Sequence, residues 1–387
     1  MASALNAPIQ DVTEIFTGSP RLAGERKSAL TPQALWQDLL GQHSPVDAAA
    51  AVEGDFAVAT ARPDGSVFMA VDRFAIRSLC YRIDGGVLRI AERADALAGE
   101  AGQLSDQAVF EYLYHHILPS PHTVFAGVQR LPPGHCAEFR DGKLHITRYW
   151  TPRFTPRTPD VADAKKQLRA LLRDAVAKQM DGSKPACFLS GGVDSSTVAG
   201  MMAELASDVT AYSIGFEADG YDEMEYARVT AKRFGLKHRE IYFTPDILVA
   251  DIPKVAASYD QPFGNSSVLP SFHCAREARG DGVSRILAGD GGDELFGGNT
   301  RYATQQLFDH WQRLPGPLRD GLLGPLFRLP IMAKLPVARK AASYVRQASQ
   351  PMPGRIQEYN LIKRIGYQQI FPQPFLDHVS QGEIESA

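Results

Sequence analysis

The chain has 387 residues, a length that predicts two to three domains, and its 44% apolar and 22% charged residues are ordinary for a globular protein. Its net charge of −3 gives no basic field for non-specific nucleic-acid binding, and no apolar run reaches the roughly 18 residues that span a bilayer. The start, MASALNAPIQDVTEIF, lacks the segments of a signal peptide, and the four scattered cysteines argue against a zinc site or disulfide framework, so we expect a cytoplasmic protein with no membrane or nucleic-acid partner.

The first 150 residues are predicted to form a smaller, β-rich domain. Apolar residues alternate with polar or small ones over residues 56–58, 67–71 and 79–83. The turns RPDGS and IDGG follow the first and last of these segments, and Asp-Gly is the sequence that tight hairpin turns favour. We therefore expect antiparallel hairpins in this region.

A helix and a further hairpin complete this predicted domain. Ser105 is a suitable N-cap, and Val109, Tyr112 and Leu113 would share one helix face. The histidines of YHHILPSPH have a spacing that suits no metal-ligand set, so we assign them to a helix end and a loop. The loop RLPPGH leads into CAEFRDGKLHITRYW, which reads as a hairpin around Asp-Gly.

The pattern changes after TPRFTPRTPD, residues 151–160, whose three prolines mark the predicted boundary of a second domain over residues 151–387. Apolar strands, ACFLS, VTAYSIGF, HREIYF and SRILAGD, alternate here with helical segments. This alternation predicts an α/β fold with a doubly wound, Rossmann-like parallel sheet. An amphipathic helix over about 161–180 precedes the sheet, with these residues on one side: Leu168, Leu171, Leu172, Ala175 and Val176.

Three polar turns, 190–196, 215–222 and 289–294, follow predicted strands. Ligands of such sheets bind at the carboxyl ends of the strands, so we expect the turns to converge. In LSGGVDSS two glycines allow a sharp bend, the next helix points its N-terminal amides at the turn, and serines add donors. An isolated S-G-G would favour a simple helix cap, but the full octet after an apolar strand favours a phosphate site. The lysine of the usual nucleotide P-loop is absent, and Asp194 would need Mg²⁺ between itself and a phosphate.

This octet resembles the pyrophosphate-binding turn of the PP-loop ATP pyrophosphatases. Together with YSIGF and the third turn, ILAGDGGDELFGGNTRY, it is similar to the synthetase domain of the asparagine synthetase family, glutamine-hydrolysing type. The likeness extends from about residue 53 to 302.

The resemblance implies a role for each turn. Asp194 and Asp293 would ligate Mg²⁺, and Asp290 stands where an acidic residue is associated with forming the acyl-adenylate. Glu294 is either part of this site or a helix-start carboxylate near the dipole. The implied ATP-binding residues are Leu189, Ser190, Gly191, Gly192, Asp194, Ser195, Ser196, Ile214, Ala288 and Gly289.

The N-terminal half resembles the later part of the family's glutaminase domain, an Ntn-hydrolase-like α+β fold, through VEGDFAVA, DRFAIRSLCY and LPPGH. The domain's N-terminal cysteine is missing, so we expect an inactive remnant in which Asp72, Arg73 and Arg77 are structural. The family also continues beyond the position of Ala387, so the synthetase domain is expected to be short at its C-terminus.

The resemblance implies an ATP-dependent amide ligase that adenylates a carboxylate, aspartate first, and transfers it to an amine or ammonia with release of AMP and pyrophosphate. Two alternatives stay open: a lasso-peptide-type macrolactam cyclase and a non-catalytic nucleotide-binding subunit. The expected partners are a small-molecule carboxylate, a nitrogen donor, and a separate glutaminase or precursor peptide.

Overall fold

The structure is a computed structural model that describes residues 13–99, 102–155, 160–180, 182–216, 223–298, 300–328, 336–350, 352, 354–355 and 360–386. Its strands are β1 (Ile15–Gly18), β2 (Arg21–Leu22), β3 (Val52–Glu53), β4 (Phe56–Ala61), β5 (Val67–Val71), β6 (Cys80–Asp84), β7 (Val87–Ala91), β8 (Gln129–Arg130), β9 (His135–Arg140), β10 (Lys143–Arg148), β11 (Ala186–Phe188), β12 (Thr210–Phe216) and β13 (Lys237–Phe243).

The helices are α1 (Pro32–Gln42), α2 (Pro45–Ala50), α3 (Ala94–Ala98), α4 (Asp106–His115), α5 (Val161–Gln179), α6 (Val193–Leu205), α7 (Met224–Phe234), α8 (Pro245–Ser258), α9 (Val268–Gly280), α10 (Gly292–Phe296), α11 (Thr300–Gln312), α12 (Gly324–Arg328), α13 (Pro336–Ala348), α14 (Leu361–Ile365), α15 (Tyr367–Ile370), α16 (Gln373–Leu376) and α17 (Gln381–Ser386), and a π-helix spans Pro317–Leu323. None of these described helices combines the length and the apolar character needed to cross a bilayer.

The N-terminal region, residues 13–150, is built on an antiparallel sheet with strand order β1-β4-β5-β9-β10. The predicted hairpin at its edge is confirmed, since β9 and β10 pair from His135 with Arg148 to Arg140 with Lys143. The turn residues Asp141 and Gly142 have φ of 50° and 75°, the left-handed pair that a two-residue hairpin turn requires.

Both faces of this sheet are buried. The small residues that alternate with the predicted core residues of β4 and β5, such as Ala57 and Ala70, therefore lie in the core as well. Helices α1 and α2 cover one face, where Trp36 packs on Phe56 and Phe68 with ring centroids 5.0 and 5.7 Å apart. A second sheet, β7-β6-β8, covers the other face, which includes Ala57 and Ala59. The two hydrophobic layers enclose β4 and β5 almost completely.

Helix α4 begins as predicted, with the Ser105 hydroxyl accepting a hydrogen bond from the Ala108 amide at 3.3 Å. The predicted apolar face is wrong, because Leu113 is 38% exposed while Phe110 and Tyr114 are buried. The physical reason is that the C-terminal helices, not the N-terminal sheet, cover α4. The residues that cover it include Tyr367, Phe371, Phe375, Leu376 and Ile384.

The C-terminal region, residues 151–386, contains a parallel sheet with order β11-β12-β13. The first three predicted strands are confirmed. The fourth is reduced to Leu287, which extends the sheet by hydrogen bonding to Ala186 and Phe188 at 2.9 and 2.8 Å. Helices α5, α6 and α7 pack on one face and α9 on the other, so this region has a mixed α/β fold.

Helix α5 departs from the predicted amphipathic pattern. Val176, near its end, is buried against α6 and β11, but Leu168 and Leu171 are 41% and 68% exposed. The described part of the chain therefore covers the end of the apolar stripe and leaves its beginning open.

Candidate active site

The LSGGVDSS turn leaves the end of β11 and enters α6. Gly191 has φ of +87°, and a Cβ there would lie 2.6 Å from the Tyr226 Cβ and 2.8 Å from the Ala227 amide nitrogen. Helix α7 thus packs directly on the turn, and only glycine fits. Gly192 caps α6 without a side chain, so the first amides of this 13-residue helix face the turn with the positive end of the helix dipole.

Two serine hydroxyls fix the shape of the turn. The Ser195 Oγ accepts from the Ser190 amide at 3.2 Å and lies 3.0 Å from the Ser190 Oγ. The Ser190 Oγ in turn accepts from the Gly192 amide at 3.3 Å. The turn is therefore held in place before any ligand binds. Ser196 points elsewhere, because its hydroxyl lies 3.1 Å from the Thr230 Oγ1 on α7.

The third polar turn, residues 288–298, follows Leu287 and contains α10. A Cβ on Gly289 would lie 2.7 Å from the Ser195 amide nitrogen, and one on Gly292 would overlap the Asp194 carboxylate. A Cβ on Gly298 would likewise overlap the Asp293 carboxylate. The glycines of GDGGDELFGG therefore allow the two turns to meet around the aspartates, as the sequence predicted.

The turns border a cleft of about 950 Å³ at the carboxyl ends of the strands. Of the sequence-predicted residues, Gly191 and Ser196 lie outside its lining. The others line it: Leu189, Ser190, Gly192, Asp194, Ser195, Ile214, Ala288, Gly289, Asp290 and Asp293. Glu294 lines it too. The second predicted turn, 215–222, falls mostly outside the described residues. Phe216 and Glu223, on either side of that gap, also line the cleft.

Sequence reasoning missed the side of the cleft formed by the start of α9. Ser267, Pro270 and Ser271 lie there, close to Tyr212 and Cys274 in the lining. Ser267 is oriented by its amide, which donates to the Asn265 Oδ1 at 2.9 Å. The polar stretch GNSS before an apolar helix was the available signal, but it is also typical of an ordinary helix start.

The charge of the cleft is one-sided. In the described part of the chain, the lining residues include no lysine, arginine or histidine. They include five carboxylates: Asp194, Glu223, Asp290, Asp293 and Glu294. Within the described ranges, no three His, Cys, Asp or Glu side chains form a ready metal cage. Two carboxylates with no nitrogen or sulfur ligand suit Mg²⁺, which takes one or two protein carboxylates and completes its shell with phosphate oxygens and water.

The two arginines of DRFAIRSLCY form ion pairs with carboxylates. Arg73 pairs with Glu53 at 3.4 Å and Arg77 with Asp55 at 2.9 Å. In the histidine motif, the His122 Nδ1 lies 2.9 Å from the carboxylate of the buried Glu111. These contacts lie in the N-terminal region and contribute nothing to the cleft lining.

Comparison with known proteins gives two family matches. Residues 167–370, more than half of the chain, match the model of asparagine synthase, and residues 40–150 match that of a glutamine amidotransferase domain. A putative glutamine-hydrolysing asparagine synthetase of Mycobacterium bovis is 33% identical over 66% of this chain and 41% of its own length. Glutamine-hydrolysing asparagine synthetase 1 of Bacillus subtilis is 27% identical over 81% of this chain and 49% of its own.

The chain thus spans about half the length of the curated relatives it matches. Among solved structures, the NH3-dependent NAD synthetase of Campylobacter jejuni is similar with a TM-score of 0.28 and 15% identity, covering 55% of this chain and 98% of that one. So low a TM-score means that the backbones superpose poorly, and the assignment rests on the sequence matches. On those matches, the chain belongs to the asparagine synthase family.

Proposed function

We propose that this chain is an ATP-dependent amide-forming ligase. It adenylates a carboxylate, for which aspartate is the first candidate because the curated relatives are named asparagine synthetases, and transfers the acyl group to ammonia or an amine. The observation that carries the proposal is the contact between the two motif turns, with Gly289 against the backbone of Asp194 and Ser195. That contact supports a single site with phosphate donors and carboxylates.

In this proposal the turn at the start of α6 binds the pyrophosphate part of ATP. The amides of the first helical turn and the hydroxyls of Ser190 and Ser195 are the donors, and they are already oriented by their mutual hydrogen bonds. Ser196 and Gly191 support the turn from behind through their contacts with α7. The adenosine would lie along Leu189, Ile214, Ala288 and Gly289.

Asp194 and Asp293 would hold Mg²⁺, whose charge would offset that of the phosphates. The described lining offers no lysine, arginine or histidine for this role. Asp290 lies at the same turn and would act close to the carboxylate that is adenylated.

The proposed reaction has two steps. A carboxylate oxygen attacks the α-phosphorus, and the bond between the α-phosphorus and its bridging oxygen breaks with release of pyrophosphate. The amine nitrogen then attacks the acyl carbon, the bond from that carbon to the AMP oxygen breaks, and the amine loses a proton. The oriented donors of the turn stabilise the negative charge on the leaving pyrophosphate.

The proposal includes a division at residue 150. Residues 1–150 would be a glutaminase-like domain, and residues 151–387 the synthetase domain, with a doubly wound sheet because helices pack on both of its faces. A separate glutaminase or a precursor peptide would then be the partner that brings nitrogen or substrate.

The nucleotide products test the proposal. The purified chain is supplied with ATP, Mg²⁺, ammonia and each member of a panel of carboxylates that includes aspartate, and the products are separated by ion-exchange chromatography. We expect AMP and pyrophosphate, with exchange of labelled pyrophosphate into ATP that depends on the carboxylate. ADP and phosphate as the main products would refute the mechanism. Tight ATP binding without exchange would identify a binding subunit instead.

A further inference from the structure

The segment from the last residue of α8 to the start of α9 lies in the C-terminal region and contacts the N-terminal region. Its first part, residues 258–264, is here called the junction loop. The junction loop leads through Asn265 and Ser266 into the cleft wall, which is residues 267–271 at the start of α9. Any contact that fixes the junction loop therefore acts on the cleft wall through only two intervening residues.

The N-terminal region holds the first half of the junction loop by charge. The Asp260 carboxylate accepts from the Ala94 amide at 2.8 Å and from the Arg130 Nη2 at 3.2 Å. The Arg93 Nη1 donates to the Ser258 carbonyl at 2.9 Å. The side chains of Arg130 and Asp260 are only 21% and 16% exposed, so water and salt screen this ion pair less than they screen a surface pair.

The second half of the junction loop is held by backbone contacts. The Gln261 Oε1 accepts from the Val124 amide at 2.7 Å, and the Gly264 amide donates to the His116 carbonyl at 2.9 Å. A Cβ on Gly264 would lie 2.6 Å from the His116 Cβ, so the two backbones approach as closely as glycine allows. Five hydrogen-bonding groups of the N-terminal region therefore converge on seven consecutive residues.

Packing alone gives the cleft wall little support. Ser267, Pro270 and Ser271 line the main cleft, while Val268 and Leu269 line a second cavity of about 500 Å³. The junction loop from residue 259 to 264 lines the same second cavity. A segment with open space on both sides has few close contacts of its own, so its position is set by the junction loop before it and by the rest of α9 after it.

We propose that Asp260 and Gln261 are positioning residues through which the N-terminal region sets the cleft wall. This inference rests on the proposed ligase function and deepens it. The glutaminase-like region serves the ligase site as a mechanical support, and the wall it holds contacts the part of the reacting complex that lies away from the pyrophosphate turn.

Two variants test this, Asp260→Ala and Gln261→Ala, with Ser19→Ala as the matched control. Ser19 also contacts the other region, because its Oγ accepts from the Arg285 Nη2 at 3.1 Å, but Arg285 precedes Leu287 and so lies at the end of the sheet opposite the cleft. The first measurement is amide hydrogen exchange over peptides that cover residues 258–272. We expect about tenfold faster exchange in both variants, since each loses a strong hydrogen bond to the loop, and no change in β4 and β5.

The second measurement separates affinity from turnover. We expect the KM for the carboxylate to rise about tenfold, or kcat/KM to fall by as much, while binding of pyrophosphate with Mg²⁺ stays within twofold of the wild type. Arg130→Ala should produce the same changes as Asp260→Ala, and the double variant should add little more, because the two side chains form one interaction.

The outcomes distinguish this inference from the ligase proposal. Unchanged exchange over residues 258–272 overturns the inference, whatever the activity. Faster exchange with unchanged kinetics also overturns it, since the wall would then move without consequence. If the wild type forms no AMP with any carboxylate, the ligase proposal fails. In that case, faster amide hydrogen exchange together with weaker ATP binding in the variants would still establish that the N-terminal region sets the cleft wall. If the chain forms no AMP, faster amide hydrogen exchange with unchanged ATP binding in the variants would refute the inference.

Discussion

An aspartate follows a strand in both the antiparallel sheet of the N-terminal region and the parallel sheet of the C-terminal region, but the partners of the two carboxylates differ. Asp72 follows β5 and is 1% exposed. Its carboxylate accepts from four backbone amides at 3.0–3.2 Å: Phe56, Phe74, Ile76 and Arg77. Asp194 follows β11 and lies in the cleft with no ion pair to another described residue. A carboxylate whose acceptor sites are filled organises a loop, whereas one left open can hold a ligand.

The same contrast holds for the surrounding side chains. Strands β4 and β5 are enclosed by two hydrophobic layers, while the carboxyl edge of the parallel sheet opens into a cleft of about 950 Å³. The N-terminal sheet thus has a closed hydrophobic core on both faces, and the site proposed for the reaction lies at the open edge of the parallel sheet. Four predictions test this contrast between the closed N-terminal core and the open cleft.

The largest effect is expected in the N-terminal core. Phe68 is fully buried against Trp36, so Phe68→Ala should lower the free energy of unfolding by about 3–5 kcal/mol through lost burial and a new cavity. Urea denaturation measures this. Phe74→Ala is the control, because Phe74 is 69% exposed and should cost less than about 1 kcal/mol. Equal losses in the two variants would show that this core is not tightly packed.

In the cleft, Asp194→Asn should leave stability almost unchanged and reduce ATP–pyrophosphate exchange on the order of a hundredfold, because it removes one of two proposed magnesium ligands. Glu204→Gln serves as the control on the same helix, since Glu204 pairs with Arg169 at the far end of α6. Wild-type exchange in Asp194→Asn would refute the metal assignment.

A smaller effect is expected from Gly292→Ala. The new Cβ would overlap the Asp194 carboxylate, so that side chain must move, and we expect about a tenfold loss of exchange activity. Gly280→Ala adds the same methyl group at the end of α9, where no heavy atom beyond the local helix backbone lies within 4 Å, and should be neutral. Both variants should melt close to the wild-type temperature; identical activity in the two would contradict the close approach of the turns.

The smallest effect is expected for glutamine. All four cysteines are buried, and burial raises the pKa of the Cys136 thiol to about 11 and those of Cys187 and Cys274 to about 12. The pKa of the Cys80 thiol is also raised by burial. The thiolate is the nucleophile, and at neutral pH these groups stay protonated. Glutamate release from glutamine should therefore remain at background, and release that Cys80→Ala abolishes would overturn this reading.

Much of the cleft was predictable because its signals are local. A strand, a glycine turn and a helix start lie within a few residues of one another in LSGGVDSS, and the cap at Ser105 is equally local. The sequence did not reveal that Ser196 faces Thr230 or that residues 267–271 form a wall, because both depend on how separate helices meet. The buried face of α4 was misjudged for the same reason.

The packing of α4 also has a consequence for the order in which the protein is made. Phe110 is contacted by Phe371 and Phe375, with ring centroids 5.2 and 6.2 Å away, and Ile384 joins the same cluster. A ribosome therefore completes the N-terminal sheet long before it delivers the helices that cover α4. During that interval Phe110 and Tyr114 lack the C-terminal side chains that bury them in the folded protein.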